Sequence, residues 1–520
     1  MKSWPTKFLS PLFLITPLAL MVFNSPTALA GYWQSCQQQN SQKCAACSLQ
    51  QSSAQELLKF SQLIHSEAQA PLIESVTFKN NELQKHSESL SETKTQKNFQ
   101  TVALELDPSV KHQEIWGFGA SITEACLANL DTMKPDERKK LMEQLFAKNP
   151  GANFSYLRVP LGANDFSIGN YTLNDTPKNQ PDPQLKKFNK EPLQKYIRFL
   201  KEAKALNPDL KILVSPWSPP AWMKDSAHLS GGQLKPEHHE SYARYLEKSV
   251  QAFQDEGLKV DHLTILNEPL VVFAKKNWDF PQSYMSVKQQ KEFLSEHMAP
   301  VAFKNKNFPK ILVHDHNWGD AVKTEKILKD PKIKPMIAGV AMHCYEGDFT
   351  DQEEALSHLQ PVNTFNSECS SSYLEKDKAG SFNWWLTTHS LDSLRAGSSG
   401  ALGWNLCLDQ NGGPQNNGCK DCQGLVTIDQ KNKQKVIYNP EFEALAFASR
   451  ALQNGAVRIQ SNNTLMSGVT NVAFKNPDGK ITVLFHNTSS KKVSFAVKVK
   501  PCQNTLQVEV PENSATSVIF

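Results

Sequence analysis

From Trp116 to Leu406 the chain alternates short apolar runs with longer stretches of helical period, and this alternation constrains the fold more than any other feature. The apolar runs are Trp116–Phe118, Tyr156–Pro160, Lys211–Ser215, His262–Leu266, Lys310–His314, Gly339–His343, Asn363–Ser367 and Ala401–Leu406. Helical stretches between them include Lys134–Ala147, Leu193–Ala205, Pro236–Glu256, Val287–Ala302 and Trp384–Ala396. Strands buried on both faces read as continuous apolar runs, and parallel neighbours need a crossover between them. Eight such repeats predict an α/β fold, a (β/α)8 TIM barrel, over residues 113–445.

The flanks follow a different rule. After Arg458, Val472–Phe474 and Ile481–Phe485 enclose the turn sequence Asn476-Pro477-Asp478-Gly479, and Val493–Val499, Gln507–Val510 and Ser517–Phe520 continue the pattern. This predicts an all-β sandwich over residues 446–520. Upstream, in the cysteine-containing arm of residues 31–112, a helical piece is expected at Ala54–Ala70. Glu74–Phe78 and Thr101–Leu106 bracket a polar stretch, which predicts a β-hairpin. The sandwich is then built from both chain ends.

Lys2 and Lys7, the apolar run Pro11–Phe23, and Ala28-Leu29-Ala30 before Gly31 form the three-part layout of a secretory signal peptide over residues 1–30. The run is short of the roughly 20 residues a spanning helix needs. The expected product is exported, to the medium or periplasm, or to the lysosome in a eukaryote. Export makes disulfides chemically sensible. Cys419 and Cys422 read as a short-loop disulfide rather than half a zinc site. Cys36, Cys44 and Cys47 cluster after the leader. Cys126, Cys344, Cys369, Cys407 and Cys502 have no evident mates, and Cys369 reads as a packed free thiol. Lys+Arg 56 against Asp+Glu 52 leaves a formal charge of +4, too small for a nucleic-acid footprint. No oligomeric state follows from the sequence.

Barrel enzymes carry their chemistry at the C-terminal ends of the strands. The fourth strand ends in Asn267-Glu268-Pro269 and the seventh in Ser367-Glu368-Cys369. Each is an apolar strand that then presents a carboxylic acid, and the two lie across one barrel mouth. Two carboxyl groups about 5–5.5 Å apart perform retaining glycoside hydrolysis, and a gap of roughly 6.5–9.5 Å performs inverting hydrolysis. The Asn267 amide suits a sugar 2-hydroxyl. A single strand-end glutamate also reads as a solvated loop acid; the pairing is what carries the signal.

Other strand ends add candidates. Gly117-Phe118-Gly119 leads to Glu124, which can accept from sugar hydroxyls or serve as an acid in a helix's first turn. Arg158, with Asp165 near it, can orient a carboxylate or hold the barrel together as a buried ion pair. Trp217, in Ser215-Pro216-Trp217-Ser218-Pro219-Pro220, suits stacking on a pyranose, whereas Trp222 reads as core. His314-Asp315-His316, His343-Cys344-Tyr345 and Trp404-Asn405 complete the set. His314, His316, His343 and Asp315 make a metal site thinkable, but hydrogen bonding by His343 and Tyr345 beside the seventh-strand acid is the preferred reading, with no metal. The chain has no phosphate loop, no dinucleotide fingerprint after a strand, no Gly-x-Ser-x-Gly and no His-Glu-x-x-His, so no cofactor is expected.

Gly117-Phe118-Gly119, Arg158-Val159-Pro160, Asp165-Phe166-Ser167, Ser215-Pro216-Trp217, Asn267-Glu268-Pro269, His343-x-Tyr345, Ser367-Glu368 and Trp404-Asn405 stand in an order that resembles glycoside hydrolase family 30, its glucosylceramidases in particular. The resemblance runs from about residue 74 to the end of the chain. It implies the same barrel and side domain, and retaining hydrolysis of β-glucosides such as glucosylceramide, with transient contact at a membrane surface. It makes Glu268 the acid/base and Glu368 the nucleophile. Glu124, Arg158, Trp217, Asn267, His343, Tyr345, Trp404 and Asn405 become substrate-site residues. Departures are Glu124, where Asp is usual, Cys344, where Trp is frequent, and the stretch 273–284 beyond Trp278 and Phe280. Rival readings are another family-30 activity on xylan, β-1,6-glucan or another β-glycoside, and a sugar- or lipid-binding non-enzyme. The expected mechanism has Glu268 holding its proton more tightly than Glu368.

Overall fold

The first described strands are β1 (Leu72–Lys79), β2 (Glu82–Ser89) and β3 (Thr101–Glu114). Eight barrel strands follow: β4 (Gly117–Ser121), β5 (Tyr156–Leu161), β6 (Lys211–Pro216), β7 (His262–Leu263), β8 (Lys310–Asn317), β9 (Ile337–His343), β10 (Asn363–Glu368) and β11 (Ser398–Gly403). β12 (Asn405–Asp409), β13 (Gly424–Asp429) and β14 (Lys435–Tyr438) form a small sheet over the barrel, and β15 (Val457–Ser461), β16 (Val469–Lys475), β17 (Ile481–Asn487), β18 (Val493–Val499), β19 (Thr505–Val510) and β20 (Ser514–Ile519) end the chain. This computed structural model describes residues 72–79, 82–89, 101–178, 180–271, 279–348, 350–351, 362–432, 435–462, 468–501 and 505–520. The expected leader, the helix at 54–70, Cys36, Cys44, Cys47, Cys502 and Trp278 lie outside the described residues. Among the described residues no helix is long and apolar enough to cross a membrane.

β4 to β11 close into a parallel barrel, β11 pairing with β4 and β10 with β9. The Gly-Phe-Gly motif serves this closure: a Cβ on Gly119 would collide with the Tyr156 carbonyl of β5. Helices cover the outside, among them Glu124–Asp131, Pro135–Phe146, Gln194–Leu206, His239–Gln254 and Pro440–Ala451, the last spanning position 445. The expected eighth strand, Ala401–Leu406, divides. Ser398–Gly403 stays in the barrel and Asn405 opens the small sheet, with the break at Trp404.

The remaining strands form one nine-stranded sheet in the order β19-β18-β3-β15-β16-β17-β20-β1-β2. Phe485 of β17 and Phe495 of β18 stand four places apart in it, yet their rings lie 4.9 Å apart, so the sheet folds over one core into a sandwich. Strands from both chain ends build it. One expectation needs correction: Glu74–Phe78 does not pair with Thr101–Leu106. β1 takes β2 and β20 as its neighbours, while β3 lies between β18 and β15. The polar run read as the hairpin's interior is itself an edge strand, whose described side chains, from Gln84 to Ser87, are exposed.

Inside the barrel, side chains stack in layers because alternate residues of a strand face the axis. Trp116, Tyr156, Leu213, Leu312, Ala341, Phe365 and Leu402 make an apolar plug. Trp116 stacks on His262 at 4.6 Å, and Tyr156 packs on Phe365 at 4.5 Å. Burying each large side chain is worth about 1.5–3 kcal/mol, which offsets the cost of the polar layer above. That layer lies two residues further along the same strands: Arg158, Ser215, His343 and Ser367, with Thr264 two beyond His262.

Candidate active site

β8 breaks the alternation, and the break builds the site. Leu312 faces the axis, so regular pleating would send His314 inward. Instead the register shifts between His314 and His316, with φ of 80° at His314 and 47° at Asp315. Such a bulge re-aims one side chain at a local backbone cost of order 1–3 kcal/mol. It brings Asp315 inward, while His314 bonds the Asn317 carbonyl oxygen at 2.9 Å. The Asp315 carboxylate accepts from Ser215 Oγ (2.9 Å), Thr264 Oγ1 (2.8 Å), Ser367 Oγ (2.8 Å) and Arg158 Nη2 (2.8 Å), and His343 Nε2 lies 3.0 Å away. Asp315 is the residue that sequence reasoning left as no more than a metal-ligand option. Its signal was an acid inside an apolar strand.

Around this hub the predicted residues converge. Arg158 is fully buried and donates through Nη2 to Asn267 Oδ1 (2.7 Å) and through Nη1 to Glu368. It therefore both orients a carboxylate and holds strands together. The Asn267 oxygen is thereby occupied, so contact with a sugar hydroxyl falls to its amide nitrogen. Glu268 sits at φ 45°, its N–H donating to the Asp315 carbonyl oxygen at 2.9 Å, and its carboxylate lies 3.3 Å from His343 Nδ1. A second register shift, between Asn366 and Glu368, lets Ser367 and Glu368 both face the interior. Tyr345 donates from its hydroxyl to Glu368 Oε1 at 3.1 Å. One carboxylate oxygen of Glu268 and one of Glu368 lie within 4.8 Å of each other. Trp217 and Trp404 stack with ring centres 5.0 Å apart, and the Arg158 guanidinium lies over both.

Two expected site residues have their hydrogen-bond and ion-pair partners outside the carboxylate cluster. Glu124 is buried at the start of helix Glu124–Asp131, where it pairs with Lys195 and accepts from the Ile168 N–H at 2.8 Å. It lines a cleft of about 360 Å³ with Tyr171, Lys195 and Arg198. The first-turn position favours an acid for the helix's own sake. Asn405 is fully buried and accepts from Thr123 Oγ1 at 2.7 Å, so it fixes the N-cap of that helix. The acid that does join the site is Asp165, under the Trp404 indole and beneath the loop of Asn416 and Gly418. Its Oδ1 is buried without a partner among the described residues.

The cysteines bear on the same place. Cys419–Cys422 is a disulfide, in keeping with the short-loop reading. Cys344 and Cys369, expected to be unpaired, form a second disulfide between the loops that leave β9 and β10. Neighbouring parallel strands bring together residues distant in sequence, and no spacing rule exposes such a pair.

Electrostatics set the protonation pattern. Burial opposes charge on Asp315, but Arg158 and His343 outweigh it and hold the carboxyl well below the usual range. Burial would also neutralise His343, yet the Glu368 charge and bonds to Asp315 and Glu268 raise it to about 10. Both ring nitrogens of the protonated imidazole face carboxylates, Nε2 toward Asp315 and Nδ1 toward Glu268. Burial raises Glu368 against the pull of His343 and Arg158. Burial also works to raise Glu268, but the bond and charge of His343 lower it. This reverses the expected order: in the free site the cationic His343 sits against the presumed acid. Burial and repulsion from Glu368 and Glu268 raise Asp165 to about 8. Two cations and Asp315 then leave one positive charge, which a single ionised glutamate neutralises.

Residues 115–452 match the glycosyl hydrolase family 30 TIM-barrel domain, and residues 455–518 match that family's beta sandwich domain. The chain is 28% identical to the lysosomal acid glucosylceramidase of Mus musculus, over 76% of this chain and 79% of the relative. It is equally 28% identical to an endo-1,6-beta-D-glucanase of Aspergillus fumigatus, over 80% and 86%. The solved structure of an endo-beta1,6-glucanase superposes with a TM-score of 0.77 at 27% identity, covering 86% of this chain and 99% of that one.

Proposed function

The chain belongs to glycoside hydrolase family 30, and from that premise we propose that it is a retaining β-glucosidase using Glu268 as acid/base and Glu368 as nucleophile. The observation that carries this reading is the convergence of the two carboxylates on one barrel mouth, one oxygen of each within 4.8 Å of the other, an approach that suits double displacement. The glucose ring sits between them, above Trp217 and Trp404 and within reach of Asp165. Arg158 and Tyr345 donate to Glu368, which aims it at the anomeric carbon and favours its ionised form once the shared proton leaves it. The Glu268 side chain is about a quarter exposed in the free site. The bound glycosidic oxygen displaces that water, and desolvation then raises the Glu268 carboxyl and moves the shared proton onto it. Glu268 protonates the leaving oxygen as Glu368 forms the glycosyl-enzyme bond. Glu268 then takes a proton from water, whose oxygen attacks the anomeric carbon and frees the sugar with its β configuration.

The aglycone we propose is a lipid, as in glucosylceramide, and such a substrate entails transient contact with a membrane surface. Support is the 28% identity to the mouse lysosomal acid glucosylceramidase over 76% of this chain. A β-1,6-glucan is a second reading, favoured by the 0.77 superposition on an endo-beta1,6-glucanase. Export belongs to the proposal too, because two disulfides suit an oxidising compartment. Hydrolysis of detergent-dispersed glucosylceramide, measured beside β-1,6-glucan and aryl β-glucosides, decides the aglycone. NMR of the first product formed tests the mechanism: β-glucose is expected, and α-glucose would refute it.

A further inference from the structure

Cys344 separates His343 from Tyr345, and Cys369 directly follows Glu368. The disulfide therefore ties the backbone between the two carboxylate-binding residues to the backbone next to Glu368. The last β9–β10 pairing is Glu368 with His343, and a register shift precedes it. Past that point no ladder holds the two chains together. Cys369 is firmly seated: fully buried, its carbonyl oxygen accepts the Trp404 N–H at 2.6 Å, and its sulfur lies 3.1 Å from His389 Nε2. Tyr345 is not. The residue is 42% exposed, and it is held by the bond from its hydroxyl to Glu368, an edge contact with the His343 ring at 6.0 Å and a 3.2 Å bond from its N–H to Asn317 Oδ1.

We propose that the Cys344–Cys369 disulfide is a positioning element of the active site, lending the fixed seat of Cys369 to the lightly packed Tyr345 so that its hydroxyl stays on Glu368. Although the residue as a whole is exposed, its hydroxyl end is desolvated against Glu368, Glu268 and Asp165, and this holds the hydroxyl protonated, hence a donor to the nucleophile. A dithiol or phosphine that breaks the bond detunes Glu368 while the barrel stays folded. With a dithiol, two electrons and two protons pass to the protein, the S–S bond becomes two thiols, and the dithiol closes to its own disulfide; with a phosphine, water supplies the two protons and its oxygen, and the phosphine leaves as its oxide. The proposal rests on reading Glu368 as the nucleophile.

The test uses the whole chain and 4-nitrophenyl β-glucoside. In the C344A/C369A variant kcat falls about tenfold with KM within about twofold, and the acid limb of the kcat profile moves to higher pH, because a carboxylate that loses a donor holds its proton more tightly. Wild type treated with a phosphine and alkylated, its modified cysteines mapped by mass spectrometry, shows the same kcat loss while still melting above the assay temperature. The variant's rate does not respond to the phosphine. Unchanged kcat and pH profile, or equal inactivation of the variant by reductant, would overturn the proposal. So would unfolding of both the reduced protein and the variant at the assay temperature, which would assign the bond to global stability. Failure of the nucleophile reading looks different: a mechanism-based label then lands on a residue other than Glu368 in wild type.

Discussion

Asp165 is held against its own chemistry, and relieving it trades stability for function. The perturbation is Asp165→Asn, which keeps the shape and removes the titration. Folded, the carboxyl keeps its proton up to about pH 8, through burial and repulsion by Glu368 and Glu268. Unfolded, it loses the proton near pH 4. Between those values the native state binds one more proton than the unfolded state, so stability falls as pH rises, by up to about 1.4 kcal/mol per pH unit. Below pH 4 and above pH 8 this contribution is flat. Asn carries no such dependence. From pH 4 to pH 7 the variant therefore gains on wild type by an upper bound of about 4 kcal/mol. Urea unfolding of both proteins at pH 4, 5.5 and 7 measures the difference, read as the midpoint at constant slope. A gap that stays within about 1 kcal/mol across the series would refute the reasoning. Activity moves the other way. A buried carboxyl facing sugar hydroxyls is worth about 10–100-fold, so kcat/KM falls by that factor although the protein is more stable.

Glu368→Gln should lower kcat at least about a thousandfold while glucoside still quenches the fluorescence of Trp217, and substantial residual hydrolysis would sink the nucleophile assignment. His343 stays cationic to about pH 10 and lowers Glu268, so His343→Asn should shift the alkaline limb of kcat/KM to higher pH by about one unit. A shift to lower pH would contradict the described pairing. Glu124→Gln should leave KM for aryl β-glucosides within about twofold and lower the melting temperature through loss of the Lys195 pair. A tenfold rise in KM would return Glu124 to the sugar site.

The local period of the sequence decided a great deal here. Apolar runs alternating with helical stretches specify parallel strands and crossovers, and a closed parallel barrel presents its chemistry at the strand ends. The paired acids Glu268 and Glu368, with Arg158, Asn267, His343, Tyr345, Trp217 and Trp404, were legible for that reason. Side-chain direction depends on counting from the strand, and the count fails where the strand bulges. Pleating alone would put His314, not Asp315, inside, and it would set Ser367 and Glu368 on opposite faces; only the closed barrel shows the shifted register. Glu124 and Asp165 both follow barrel strands as acids, and packing alone sends one to Lys195 and the other under Trp404. The Cys344–Cys369 disulfide and the pairing of β1 with β2 and β20 are likewise contacts between neighbours in space. Periodicity is a property of a few successive residues. Register, bulges and cross-links are settled by which strands meet, and that information is spread over the whole chain.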